Sequence, residues 1–356
     1  MTGGGPPRFS IVLPTVDRSA AITATIDGVR AQTEADWELI VVSDASRDDT
    51  DAVVRGYDDP RIRLIRRRER AGHPGPPRQQ GLALARGTLV AYVDHDDRWE
   101  PEHLAQLTRL LEHREVDVAA TGAIPVDARG RPVGAPTGVL DATWSPELQV
   151  LGPIFEPSRV GHRRGVVEAA GGWDAGPAGL EDWSLWLRLA DAGRRFATSV
   201  RPTVRTLDDP ATRRHKMAAD HELSLGRTAS VDEARRALDL LSLAPLRVRL
   251  RELHVACAAR WYRELAAAGA LVLPDGADVE ATDLEALLAL AVPEDTLGSL
   301  LDVREDDGGA VVFRPLPCAT AQHARRVEAL TRDRFADKLT FAQRVLRAAT
   351  SSPAPA

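Results

Sequence analysis

Thr88-Leu89-Val90-Ala91-Tyr92-Val93-Asp94-His95-Asp96-Asp97-Arg98-Trp99 is the stretch on which the fold turns. Thr88 to Val93 is apolar and β-forming, and reads as a buried central strand. Three carboxylates, Asp94, Asp96 and Asp97, follow it directly. In an open α/β sheet, ligands bind beyond the carboxyl ends of the strands. Asp94 and Asp96 lie two apart, so an extended segment projects both to one side. Two hard oxygen ligands there suit Mg2+ or Mn2+ shared with a diphosphate. The same acidic turn has a second reading as a cap, with Asp96 or Asp97 starting the helix that Pro101 opens.

Outward from this strand the signals alternate. Phe9 to Pro14 is a short apolar run ending at proline, a buried strand. Ser19 is placed to cap a helix carrying Ile22, Ile26 and Val29 on one face. Glu38 to Ser43 reads as a second buried strand, and Asp48 to Tyr57 as a short helix with acidic residues at its start. Arg61 to Ile65 alternates charged and aliphatic residues, as a strand with one wet face does. A Pro/Gly-rich loop, His73 to Pro77, precedes a helix from Arg78 to Ala85 that stops at Gly87. A further helix is expected from Pro101 to about His113. This rhythm predicts an α/β fold with a mainly parallel sheet and helices on both faces.

Ala123 to Pro157 is rich in Pro, Gly and turn residues and is expected to form loops and short strands. Val166 to Gly171 and Glu181 to Ala192 read as helices. Beyond about residue 210 alanine, leucine and arginine dominate and strand signals become rare. Helices are expected over Val231 to Ala268, with a break near Pro245, over Leu284 to Ala291 and over Gln322 to Ala348. The division expected is residues 1–209 as one α/β domain and 210–356 as a mostly helical region, with a frayed end from Ser351.

Composition narrows the partners. The 356 residues carry a net charge of −6, which disfavours nucleic acid, since neutralising phosphates needs a basic surface. A hydrophobic fraction of 44% supports a real core. The two cysteines, Cys257 and Cys318, form no metal-spaced cluster and rule out a disulfide-built secreted fold. There is no apolar run long enough for a membrane span, and the N-terminus has no signal core, so a cytoplasmic location is expected. Arg61, Arg63, Arg66, Arg67, Arg68 and Arg70 form a basic cluster, read as a solvated strand end or as a surface for an acidic acceptor or a membrane. Arg235, Arg236, Arg247, Arg249 and Arg251 make the middle of the helical region basic, which suits solvated charge, a partner or a homodimer contact.

Other carboxylates fall at equivalent places. Ser43-Asp44 ends the second strand, where Asp44 can accept from a base or ribose, or close an Asx-turn or helix cap. Pro14-Thr15-Val16-Asp17 follows the first strand, without the glycines of a dinucleotide site or the Gly-Lys-Ser/Thr of a P-loop. Gly171-Gly172-Trp173-Asp174 leads to Leu180-Glu181-Asp182-Trp183 at a helix start. Those acids suit the helix dipole, or they supply a general base. Trp173, Trp183 and Trp186 are candidates for an acceptor pocket or for the core. Arg163 and Arg164 either reach a phosphate or sit on the surface.

Taken together, residues 8 to 200 resemble the family-2 glycosyltransferases, which have the GT-A fold, a three-layer sandwich. Phe9-Ser10-Ile11-Val12-Leu13-Pro14-Thr15 looks like that family's opening strand, and Leu39 to Ser46 like its second, ending at a base-contacting aspartate. Arg78-Gln79-Gln80-Gly81 is similar to its Arg-Asn-x-Gly helix start, with Gln79 in place of Asn. Asp94-His95-Asp96-Asp97 matches its DxD metal motif, and Glu181-Asp182-Trp183 its Glu-Asp pair. The resemblance implies that Pro14, Thr15, Asp17 and Asp44 hold the nucleoside of a UDP-, dTDP- or GDP-sugar. It assigns Arg78, Asp94 and His95 to the donor and Asp96, with Asp94, to Mn2+ or Mg2+; His215 stands where some relatives place a further ligand. Asp182 is the implied base, with Glu181 beside it, and Trp173, Asp174 and Trp183 face an unidentified acceptor. Inversion at the anomeric carbon follows, with a nucleotide-sugar half at about 8–100 and an acceptor half at about 101–209. No Gln-x-x-Arg-Trp motif follows the Glu-Asp pair, which points to transfer of a single sugar rather than polymer synthesis. Two competing readings are a sugar-phosphate nucleotidyltransferase, which would want a glycine-rich loop after the first strand, and a nucleotide-sugar-binding scaffold.

Overall fold

The computed structural model describes residues 5–173, 179–208, 221–277, 283–292 and 300–351. The chain divides into two compact units, Met1–Met217 with Val272–Ala277, and Ala218–Leu271 with Asp278–Ala356.

The first unit begins β1 (Phe9–Thr15), α1 (Ile22–Arg30), β2 (Trp37–Ser43), α2 (Thr50–Arg55), β3 (Ile62–Arg66), α3 (Gly75–Ala83) and β4 (Leu89–Tyr92). It continues through β5 (Arg98–Trp99), α4 (His103–Leu111), β6 (Val118–Val126), α5 (Val139–Ala142) and α6 (Pro146–Leu151). A 3-10 turn at Pro157–Arg159 then leads to β7 (Val160–Arg163), α7 (Val166–Ala169), α8 (Glu181–Asp191) and β8 (Phe196–Leu207). The strands form one sheet in the order β3-β2-β1-β4-β7-β6-β8-β5. β1 pairs in parallel with β2 and β4, β2 with β3, and β6 with β8, while β7 runs antiparallel to β4 and β6.

The period of two along β1 builds the layers. Phe9, Ile11 and Leu13 join the core that contains Ile22, Ile26 and Val29 of α1 and Leu104, Leu107 and Leu111 of α4. Val12 points the other way, into the core of Leu82 of α3 and Leu185, Trp186 and Leu189 of α8. Helices on both faces of a mainly parallel sheet make the three layers expected. Gly81 allows α3 to lie close on β1, because a Cβ there would stand 2.4 Å from Val12 Cγ1.

Several local expectations need correction. Ser19 does not cap α1; its N–H donates to Asp48 Oδ2 at 3.0 Å, and the helix starts after Ala21 with no side-chain cap. α3 starts at Gly75, earlier than expected, because prolines are tolerated in a first turn whose N–H groups lack partners anyway. Asp96 and Asp97 do not cap α4, whose N-cap is Glu102. β6 and β8 were not legible as long strands. Gly122 and Pro125 interrupt one and Pro202 the other, and neighbouring strands override that weak propensity.

The second unit comprises β9 (His221–Thr228), α9 (Val231–Leu241), α10 (Ala244–Ala267), α11 (Asp283–Ala291), β10 (Asp302–Asp306), β11 (Gly309–Leu316), α12 (Ala321–Arg334) and α13 (Ala336–Ser351). It is mostly helical, but it also holds an antiparallel sheet in the order β10-β11-β9, which corrects the expectation of few strands. Asp307-Gly308 between paired Asp306 and Gly309 is the hairpin signal that announces two of them. Ala234, Ala237, Leu241, Leu250, Val312, Ala342 and Leu346 form its core. Among the described residues no helix is long and apolar enough to cross a membrane.

Candidate active site

β1 lies between β2 and β4, so the connections from its two neighbours diverge and leave a crevice at the carboxyl edge. Register places Thr15 beside Ser43, and Val12 beside Tyr92. Asp44, Val16-Asp17 and Asp94-His95-Asp96 therefore leave three adjacent strands at one edge. His95 joins two of them: Val16 N lies 3.4 Å from Nδ1 and Arg18 Nε 3.1 Å from Nε2. Burial pushes the His95 ring down from its ordinary pKa, against the pull of Asp96 and Asp94.

At one end of the crevice, Asp44 is 4% exposed. Its oxygens accept from Ala71 N at 3.0 and 2.9 Å and face Arg67 Nε at 2.8 Å. It makes neither an Asx-turn nor a helix cap. Asp17 accepts from Arg47 N at 2.7 Å and pairs with Arg70. The Arg47 N–H, then Arg70, hold its carboxyl below the usual range. Asp17 and Ala45 have φ of 47° and 53°, and they are the non-glycine residues with positive φ among those described. Backbone strain of this kind concentrates where a loop must present atoms to a ligand.

The basic cluster is largely neutralised within the fold. Arg61 pairs with Asp59, Arg63 with Glu38, Arg66 with Asp51, Arg67 with Asp44 and Arg70 with Asp17. It is therefore a set of local braces rather than an open basic surface.

At the centre, Arg78 is 2% exposed. Its Nη2 meets Asp94 Oδ1 at 2.6 Å and its Nη1 meets Glu181 Oε1 at 3.5 Å. Burial works against the guanidinium charge, but Asp94 and Glu181 outweigh it and raise its pKa. The acidic turn is braced from behind. Ser158 Oγ accepts from Asp94 N at 2.9 Å and donates to Asp97 Oδ2 at 2.5 Å, while Leu207 N reaches Asp97 Oδ1 at 3.1 Å. Burial, then Asp96 and Asp94, push the Asp97 carboxyl well up.

Asp96 keeps its carboxylate 20% exposed, with His95 Nε2 at 3.9 Å. Among the described residues no group of three His, Cys, Asp or Glu side chains forms a ready cage. Mg2+ or Mn2+ arriving with a diphosphate needs only one or two carboxylates, so Asp96 with Asp94 fits such an ion.

The far end is the start of α8. Glu181 is buried and accepts from Gly179 N at 2.8 Å. Asp182 is half-buried and accepts from Trp183 N at 2.7 Å. Burial, then the neighbouring Glu181, raise its pKa to about 7. Trp173 lies under Arg78, whose Cζ is 4.7 Å from the ring centroid. Trp183 and Trp186 are buried, with indole N–H groups donating to Gln149 O and Phe155 O. Both therefore pack the core instead of presenting an open wall. Arg163 faces the opposite end of the sheet and donates to the carbonyls of Leu111, His113 and Val116. Asp174 and His215 lie outside the described residues.

Among the described residues, two buried polar atoms along this edge, Thr15 Oγ1 and Arg78 Nε, have no hydrogen-bond partner. Buried polar atoms are normally satisfied, so unpaired ones at a crevice are positions for a ligand to complete. A hollow of about 420 Å³ elsewhere, lined by Pro7, Arg8, Asp36, Thr88 and Arg163, sits at the amino ends of β1 and β4. It contains none of these carboxylates. Sequence reasoning missed Ser158 and the Ala71 N–H. Pro157-Ser158-Arg159 carries only a turn signal, and a backbone N–H carries none.

The chain is similar in sequence and in fold to known glycosyltransferases. The UDP-Glc:alpha-D-GlcNAc-diphosphoundecaprenol beta-1,3-glucosyltransferase WfgD of Escherichia coli is 35% identical over 105 residues, 29% of this chain and 41% of that protein. The poly(ribitol-phosphate) beta-N-acetylglucosaminyltransferase TarS of Staphylococcus aureus is 29% identical over 128 residues, 35% of this chain and 22% of that protein. A crystal structure of S. aureus TarS 1-349 in complex with UDP-GlcNAc superposes with a TM-score of 0.50 at 18% identity, covering 79% of this chain and 70% of that one. It shares the GT-A fold. The chain spans 20%, 51% and 36% of the length of three other curated relatives. Residues 10–163 match the family described as Glycosyl transferase family 2.

Proposed function

We propose that the first unit moves a single sugar from a nucleotide-diphosphate sugar to an acceptor hydroxyl, with a divalent metal and with inversion at the anomeric carbon. The observation that carries it is Arg78, which ties Asp94 of the acidic turn to Glu181 beside Asp182 across one crevice. Asp44 and Thr15 would receive the nucleoside, Arg78 and Asp94 the sugar diphosphate. Asp96, with Asp94, would hold Mn2+ or Mg2+, which neutralises charge on a departing diphosphate. Asp182 would take the acceptor proton as the new C–O bond forms and the bond to the diphosphate breaks. A carboxyl with pKa near 7 is matched to that task at neutral pH.

On this reading residues 1–209 are the catalytic domain, with the nucleotide-sugar half at about 8–100 and the acceptor half at about 101–209. A UDP-sugar is the first donor to try, because WfgD is named for UDP-Glc. The acceptors in the relatives' names differ, and the acceptor here is left open.

The test is nucleotide release from UDP-, dTDP- and GDP-sugars with Mn2+. Wild-type protein should release nucleotide from at least one donor. Asp96→Ala should abolish release. Asp182→Asn should bind nucleotide normally and lose turnover on the order of 10²–10⁴-fold. Normal turnover by Asp182→Asn sinks the base assignment. Pyrophosphate release from a nucleoside triphosphate and a sugar phosphate would favour the nucleotidyltransferase instead.

A further inference from the structure

Arg78 and Gln79 are adjacent at the middle of α3, yet they serve different neighbours. Gln79 Oε1 accepts from Trp173 N at 2.8 Å. The backbone N–H there is a donor, so the amide must turn its oxygen toward it. The fit is tight: a Cβ at Gly172, where φ is 73°, would stand 2.2 Å from Gln79 Oε1. Arg188 of α8 holds the other side of the same loop, donating to Ala170 O and, at 2.8 Å, to Gly172 O.

The clamped residue is the floor beneath Arg78. Trp173 is 3% exposed, edge-on to Tyr92 with centroids 4.9 Å apart and to Trp186 at 5.9 Å. The Arg78 guanidinium lies over its face. A cation over an aromatic face is held in direction as well as in charge.

We propose that Gln79 is a positioning residue of the transfer reaction: its amide oxygen fixes the Gly172-Trp173 backbone, so that Trp173 seats Arg78 between Asp94 and Glu181. This rests on the functional reading above. Gln79 touches neither donor nor acceptor on this account. It sets the distance between the acidic turn and the base through the ring and the guanidinium. The required feature is an acceptor oxygen at the reach of a glutamine side chain. Methionine keeps the length and removes the oxygen, whereas glutamate keeps both.

The experiment compares wild type, Gln79→Met and Gln79→Glu with the donor that wild type cleaves and Mn2+, with water as acceptor. Binding of the matching nucleoside diphosphate is measured alongside. Gln79→Met should lower kcat about tenfold or more, since small misplacements near the chemistry are costly. Its nucleotide Kd should stay within about twofold of wild type, because Asp44 and Thr15, which would hold the nucleoside, are left untouched. Gln79→Glu should recover to within about threefold of wild-type kcat. Amide hydrogen exchange at Trp173 should quicken in Gln79→Met and not in Gln79→Glu. Wild-type turnover in Gln79→Met, no recovery in Gln79→Glu, or a Kd that weakens in step with kcat would each overturn the role given to Gln79. If wild type cleaves no donor, the functional reading itself fails, which is a separate result.

Discussion

Each unit buries a cation, and the two are treated in opposite ways. In the first unit Arg78 is 2% exposed and faces two carboxylates, so it stays charged. In the second unit Lys338 of α13 is 5% exposed. Its Nζ meets His254 Nδ1 at 2.6 Å and lies 5.0 Å from the Phe335 ring. Among the described residues no carboxylate pairs with it, and Arg314 adds a like charge. Burial, then Arg314, lower its pKa to about 8. Burial likewise lowers His254 to about 3, so the ring is a neutral acceptor. The 46 basic residues include only two lysines, Lys216 and Lys338. Of the two basic side chains, only lysine can shed its proton when buried without a counter-charge. A buried charge is thus held firmly where carboxylates face it, and held loosely at Lys338, which is still protonated at pH 7 but loses its proton near pH 8.

Breaking the first arrangement should have the largest effect. Arg78→Met strands Asp94 and Glu181 together. It should abolish nucleotide release and cost the first unit about 3–5 kcal/mol in denaturant unfolding. Lys338→Met, the matching change in the second unit, should be neutral or stabilising by about 1–3 kcal/mol. Equal losses in the two variants would erase the distinction.

The pH dependences sharpen it. The folded Lys338 pKa, about 8, lies below its ordinary 10.5, so between these values the unfolded chain binds more protons. Stability of the second unit should then rise with pH across that window by about 3 kcal/mol at most, and Lys338→Met should flatten the slope. Asp182 shows the reverse sign. Its folded pKa is about 7 against an ordinary 3.8, so the folded protein holds a proton that the unfolded chain has released. Its contribution to stability falls as pH rises from about 4 to 7. Asp182→Asn should therefore raise the first unit's Tm at pH 8 by a few degrees. Nucleotide release by the wild type should climb through pH 7 as the base loses its proton. A flat profile from pH 5 to 9 would contradict that role.

Much of the first unit was legible because its strands are short apolar runs ending at proline or acid, with helices of clear period between them. The sheet edge could be read the same way: Asp44, Asp17, Asp94 and Asp182 stand where strand or helix boundaries put them. What could not be read was contact across distance. Nothing local to Gln79 says that its oxygen lies against Gly172, and nothing in Val118–Val126 says that a glycine- and proline-bearing segment will be held as a strand. The choice between pocket and core for the tryptophans was not legible for the same reason, since Trp183 and Trp186 satisfy their N–H groups on carbonyls about 30 residues away in sequence. The second-unit hairpin was a different failure, because Asp307-Gly308 carried the signal plainly.

Ser158 grips the acidic turn through one backbone N–H, that of Asp94, and one buried carboxyl, that of Asp97. Altering that hydroxyl would retune how firmly the turn is held while the Asp94 and Asp96 carboxylates stay chemically intact. The rigidity of the turn and the identity of its ligands can thus be varied independently, and distant relatives could differ in the first while sharing the second.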